Sequence, residues 1–215
     1  GIRDRDVTGV QTVLFRSGTV IGILAILFPF MLILANQLGG WHTMRDSLSC
    51  YYHSSSRDIF VGLLTTFSIF LLSYKGYSRG DNIITSISGI AMLLVAVFPC
   101  EGEVDSYIFQ FLTPKVNAIV HFISAIVAFG MMGIMSYFQF TKSGKKLSSM
   151  KKVRNAVYRI CGVIIITVLV LMPIILFIPA VLETTDKIRL FFWMESLILW
   201  AFGFAWLVKG GVFLK

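Results

Sequence analysis

The stretch from Ser17 to Leu38 reads SGTVIGILAILFPFMLILANQL and contains no charged residue. At about 1.5 Å per residue a helix of this length is roughly 33 Å long, enough to cross the ~30 Å hydrocarbon core of a bilayer. It is too long for the core of a signal peptide, and no small-residue cleavage site follows it. It therefore reads as a first membrane span. Five more apolar stretches follow, at about 59–77, 83–99, 116–140, 157–182 and 190–208. Each is apolar all round rather than on one face, the pattern of a helix solvated by lipid. The expectation is an all-α, polytopic transmembrane bundle of six spans, forming a single domain over residues 1–215. Pro173 and Pro179 are expected to bend or fray the outer half of the fifth span. The chain begins at Gly1 rather than Met, so the reading expects a processed, trimmed or replaced N-terminus.

Composition agrees. Hydrophobic residues make up 56% of the chain and charged residues 14%, whereas a soluble domain coats itself with about 25% charged residues. The net charge of +8 is explained by membrane topology rather than by nucleic acid. Fourteen of the nineteen Lys and Arg residues, among them Arg16, Lys75, Arg79, Lys142, Lys151, Lys152, Arg154, Arg159 and Lys209, fall in the loops and ends of one side. Five, Arg45, Arg57, Lys115, Lys187 and Arg189, fall on the other. Basic residues stay on the cytoplasmic side, so both termini are expected there. The default location is a bacterial inner membrane, with lipids as partners. The run from Thr141 to Arg154 reads as a solvated basic loop.

Glycines punctuate this plan. Gly39–Gly40 and Gly210–Gly211 sit where spans end and can terminate helices. Gly62, Gly89, Gly130, Gly133 and Gly203 lie inside spans, where small residues allow close helix contact.

Polar residues gather toward the outer face. All three histidines, His42, His53 and His121, lie there, and the outer loop 39–58 is rich in polar and aromatic residues. Its segment Met44–Ser54 lacks Pro and Gly and is expected to form a short helix in the headgroup region. His121 lies about five residues into the fourth span, and Glu195 lies at similar depth in the sixth. Asn117, His121 and Ser124 form one polar stripe at helical spacing. Ionisable groups at membrane depth cost about 2.5–3.5 kcal/mol on insertion scales, so they are paired, buried or functional. Cys50 and Cys100 are both placed outside and are a possible disulfide closing a loop of about fifty residues.

Two resemblances extend this. Tyr52-His53 followed by Arg57-Asp58-Ile59-Phe60-Val61-Gly62, then Tyr74-Lys75-Gly76-Tyr77, Val95-Ala96-Val97-Phe98-Pro99 and Phe192-Trp193-Met194-Glu195-Ser196, resembles an uncharacterised bacterial family of six-span membrane proteins. Ser49-Cys50-Tyr51-Tyr52-His53 is similar to the Ser-x-x-x-His pattern of the CREST superfamily of intramembrane hydrolases, which includes alkaline ceramidases and adiponectin receptors. That resemblance implies a zinc ion held by histidines, with His53 a ligand and Ser49 a hydrogen-bond donor behind it. The superfamily's late histidine pair is absent here, so His121 with Glu195 or Asp58 would take its place.

The leading expectation is a zinc-dependent hydrolase acting on a lipid amide or ester from the outer leaflet, the ion lowering the pKa of bound water toward about 7. In it His53 and His121 are metal ligands, Asp58 and Glu195 the catalytic carboxylates, either of them a general base, and Ser49, Arg57, His42 and Asn117 contact substrate or orient ligands. The alternatives are a binding or proton-coupled transport bundle with His121 and Glu195 on the path, and an accessory subunit of a membrane complex.

Overall fold

A computed structural model describes residues 2–100, 109, 111–142, 148–178 and 187–214, with the backbone alone for 2–15. The outer-loop acids Glu101, Glu103, Asp105, Glu183 and Asp186, the basic residues Lys145 and Lys146, and Pro179 lie outside the described residues. Among those described there are six long helices and no strand. They are α1 (Ile2–Leu38), α2 (Arg57–Ser73), α3 (Arg79–Val97), α4 (Pro114–Ile134), α5 (Ser149–Leu176) and α6 (Leu190–Lys209). The loop between α1 and α2 carries a short 3-10 helix, Ser49–His53, and α4 runs on into one π turn, Met135–Gln139. Five helices are long and apolar enough to cross a membrane: α1 from Arg16, α3, α4 with its π turn, α5 and α6. The protein is therefore a multi-pass helical membrane protein. Its surface agrees, since Val20, Ile23, Leu27, Phe30 and Leu34 follow one another along an exposed face of α1. An apolar stripe of that size is not tolerated on a water-soluble monomer.

The helix ends are set by caps more than by hydropathy. α5 starts at Ser149 rather than near 157, because the Ser148 side chain accepts a hydrogen bond from the Lys151 amide. The second half of the stretch read as a basic loop is thus helical. α3 opens on a capping box between Ser78 and Asp81. α2 stops at Ser73, so Tyr74–Tyr77 lies outside it. Both glycine pairs end helices as expected. Trp41 N donates to Asn36 O and Gly40 N to Gln37 O, with Gly40 at φ 86°. Val212 N donates to Leu207 O and Gly211 N to Val208 O, with Gly211 at φ 71°. These are paired hydrogen bonds of the Schellman type, which need a left-handed residue that only glycine adopts without strain.

Each helix packs on its neighbours in the chain, and α6 closes the ring against α1. Close approach depends on particular glycines. A Cβ on Gly203 would sit 2.7 Å from the Gly22 carbonyl oxygen, and one on Gly162 would sit 2.9 Å from the Gly133 carbonyl oxygen. Gly89 lets α3 meet α2, where Ser68 Oγ donates to the Gly89 carbonyl at 2.8 Å. Gly62 and Gly130 do not have this role: nothing lies within 4 Å of the first, and the second meets only Leu169 at 3.7 Å. α6 is the most enclosed helix, with Phe192, Ile198, Phe202, Ala205 and Trp206 all buried.

Candidate functional site

The outer loop does not lie flat in the headgroups as one helix. It folds inward over the mouth of the bundle, and only Ser49–His53 is helical, as a 3-10 turn. Buried polar side chains from the spans hold it there. Asn36 Nδ2 donates to the carbonyls of Trp41 and Thr43 at 3.1 Å each, and Ser56 Oγ donates to Leu32 O at 2.8 Å. Phe192 N donates to Asp46 O at 2.9 Å, and Arg189 forms an ion pair with the Asp46 carboxylate. Tyr51 and Tyr52, on the turn itself, are buried.

This inward fold delivers Ser49 to the layer of His121 and Glu195. His121 is fully buried. Its Nδ1 lies 2.7 Å from the carbonyl oxygen of Phe98. A carbonyl only accepts, so Nδ1 carries a proton. Its Nε2 lies 3.0 Å from Ser49 Oγ. On the other side, Glu195 Oε2 accepts from the Leu48 amide at 2.5 Å, and Ser49 and Glu195 line the same cavity. The same turn therefore reaches His121 through the Ser49 hydroxyl and holds the Glu195 carboxyl group through the Leu48 amide. With Nδ1 protonated, a neutral His121 accepts from the Ser49 hydroxyl at Nε2.

A cavity of about 280 Å³ adjoins these groups. Its polar end is Ser47, Ser49, Cys50 and Glu195, and its walls are apolar side chains of α4, α5 and α6, among them Phe129, Leu169 and Met172. The rim residues Phe122, Ile126 and Leu176 are exposed on the flank of the bundle. The cavity thus opens sideways, toward the acyl chains of a surrounding bilayer.

Cys50 and Cys100 meet at the same place. Both are free thiols, and Cys100 Sγ lies 3.1 Å from the Ser49 carbonyl. The neighbouring Cys100 thiol, with help from Ser47 and the Arg45 charge, lowers Cys50 from 9.0 to about 6 against the opposing effect of burial. Cys100 is pushed up by the Cys50 thiol and by burial.

The other expected site residues divide. His53 Nε2 lies 3.1 Å from the Cys100 carbonyl. Arg57 Nη2 donates to Tyr52 Oη at 3.3 Å and its guanidinium lies over the Tyr52 ring. Asn117 is buried and its Nδ2 serves the carbonyls of Phe109, Leu112 and Thr113 at the start of α4. His42 is exposed on the loop, and Asp58 is exposed in the first turn of α2. These residues do not fit zinc. His121 has both ring nitrogens in hydrogen bonds, Asp58 is exposed, and among the described residues no group of three or more His, Cys, Asp or Glu is placed to hold a metal ion. The sequence reading missed Asn36 and Ser56, whose signal was polarity near the end of a helix, and the direct contact of Ser49 with His121. Comparison with family models, with curated proteins and with solved structures gives no match.

Proposed function

We propose that this protein binds a single-chain, lipid-like molecule from the outer leaflet and couples its binding to proton movement through Glu195, Ser49 and His121. One observation carries the reading: Ser49, hydrogen-bonded to His121, and Glu195, hydrogen-bonded to the Leu48 amide, together form the polar end of a cavity with apolar walls. A ligand headgroup placed there replaces or bridges a hydrogen bond of these groups, so occupancy and protonation are linked. The volume is close to the low end of the ~300–1,000 Å³ usual for small-molecule sites.

Hydrolysis is the weaker use of the same residues. Ser49 and His121 stand as nucleophile and base, but acyl transfer also needs amides aimed at the developing oxyanion. The amide of Leu48 is taken by Glu195, and that of Cys50 by Ser47 Oγ at 3.1 Å.

The topology belongs to the same proposal. α2, with 17 residues, makes the sixth span at the short end of the ~17–25 residue range. The basic residues then place both termini in the cytoplasm and the cavity at the outer face of a bacterial inner membrane.

The test is calorimetric. A zwitterionic lysolipid is titrated into purified protein in two buffers of different ionisation enthalpy. Wild type should exchange protons on binding, and Glu195→Gln should bind without exchange. Ala125→Trp fills the cavity and should weaken binding at least tenfold, about 1.4 kcal/mol, while Ile123→Trp on the exposed flank should not. Binding without proton exchange in wild type, or unchanged by Ala125→Trp, overturns the proposal. Covalent labelling of Ser49 by a fluorophosphonate would favour hydrolysis instead.

A further inference from the structure

At the opposite end of the bundle, cations converge without a matching acid among the described side chains. Lys151 Nζ donates to the Phe140 carbonyl at 3.1 Å and lies 5.6 Å from the centre of the Tyr158 ring. Lys209 Nζ donates to Tyr77 Oη at 2.7 Å and lies 5.4 Å from the centre of the Phe140 ring. Both ammonium groups thus touch Phe140, one at its carbonyl and one at its ring. Arg154 follows Lys151 by three residues and precedes Tyr158 by four, so all three share a face of α5. Lys151 lies within electrostatic reach of both Lys209 and Arg154. The Arg154 Nε is buried and has no hydrogen-bond partner. The one acid with a described side chain at this end is Asp81, and it is held by Lys142 at 2.5 Å and by the Tyr77 and Ser78 amides. Three like charges held together around a buried, unmatched donor need an anion.

We propose that Lys151, Arg154 and Lys209 form a binding site for a phosphate group, supplied by an anionic phospholipid headgroup or by free phosphate. Arginine gives the planar fork suited to phosphate oxygens, and the two lysines add point charges. The site lies where α5 begins and α6 ends, at the depth of headgroups if these helices span. Below it Val153, Ile160 and Val163 are exposed along α5 and offer a track for acyl chains. The proposal is independent of the outer cavity and of its ligand.

The full chain is reconstituted in nanodiscs of phosphatidylcholine with and without phosphatidylglycerol, and retained lipid is read by native mass spectrometry. Phosphatidylglycerol should be retained in preference, less so as salt rises. Lys151→Gln, Arg154→Gln and Lys209→Gln should each weaken retention about fivefold or more. Lys152→Gln, an equal charge change on the exposed side of the same helix, should leave it within twofold. Where one of the three variants fails to fold, the other two are compared with Lys152→Gln. A second arm adds inorganic phosphate to delipidated protein in detergent and reads the melting temperature. A rise lost in Arg154→Gln, with no preference among lipids, would name free phosphate as the source. Equal retention of both lipids with no response to phosphate overturns the site, and so does an equal loss in Lys152→Gln, which would mean diffuse charge.

Discussion

In the reduced protein, the Cys50 thiol accepts from Ser47 Oγ at 3.2 Å, and the Cys100 thiol is the largest influence on its titration. The folded value of about 6 lies below the ordinary thiol value of 9.0. Stabilisation from this group is therefore present above pH 9 and is lost as pH falls through about 6. Reactivity follows the thiolate. Alkylation of Cys50 by iodoacetamide should rise with a midpoint near pH 6, and Cys100→Ala, which removes the main cause, should move that midpoint upward. A wild-type midpoint in the usual thiol range would show that the pair does not interact. Where the outer compartment is oxidising, the same two thiols are placed to join. Alkylation of denatured, unreduced protein would then modify Cys161 alone. At this scale the sequence was readable where polarity was costly. His121 and Glu195 stood out as ionisable groups inside apolar helices, and both are buried. His42 and Asp58 were singled out by residue type in a polar loop, where exposure costs nothing, and both are exposed. The contact of Ser49 with His121 depends on how deeply a 3-10 turn is drawn in, which no local pattern encodes.

Among the elements, the same glycine type has opposite meanings at different positions. Gly203→Ala places a Cβ against backbone of α1 and should destabilise the bundle by about 1–3 kcal/mol through overpacking. Gly62→Ala meets nothing and should be neutral, or stabilising by up to about 1 kcal/mol through helix propensity. Melting temperatures of the two variants in one detergent check this, and equal losses would refute the α1–α6 contact. Hydropathy located every helix because the lipid-facing side is apolar along its whole length. It misplaced the ends, since an apolar window detects the hydrocarbon core while Ser148 and Ser78 cap turns that lie beyond it. Pro173 lies within α5, as the sequence required, three residues before its end. The cavity could not be read from the sequence, because Leu169 and Met172 look the same in an apolar run whether they face lipid or a void.

For the whole molecule, orientation is the expectation that the other outer-face arguments rest on. In a background without native cysteines, Gly102→Cys should react with an impermeant maleimide in intact cells, and Ser148→Cys should be spared until the membrane is opened. The reverse pattern would move the cavity and its polar end to the cytoplasmic face. The closed ring has a consequence in time. Gly22 of α1 finds its partner only when Gly203 of α6 has been made, and Trp200 Nε1, which donates to the Ile26 carbonyl at 3.1 Å, arrives with it. At about 5–20 residues per second, synthesis from the end of α1 to the end of α6 takes on the order of 10–35 s. For that interval the inner face of the first helix waits in the membrane uncovered. A nascent chain stalled or cut before α6 would keep that face bare, and it is in this form that quality-control proteases of the membrane should find it.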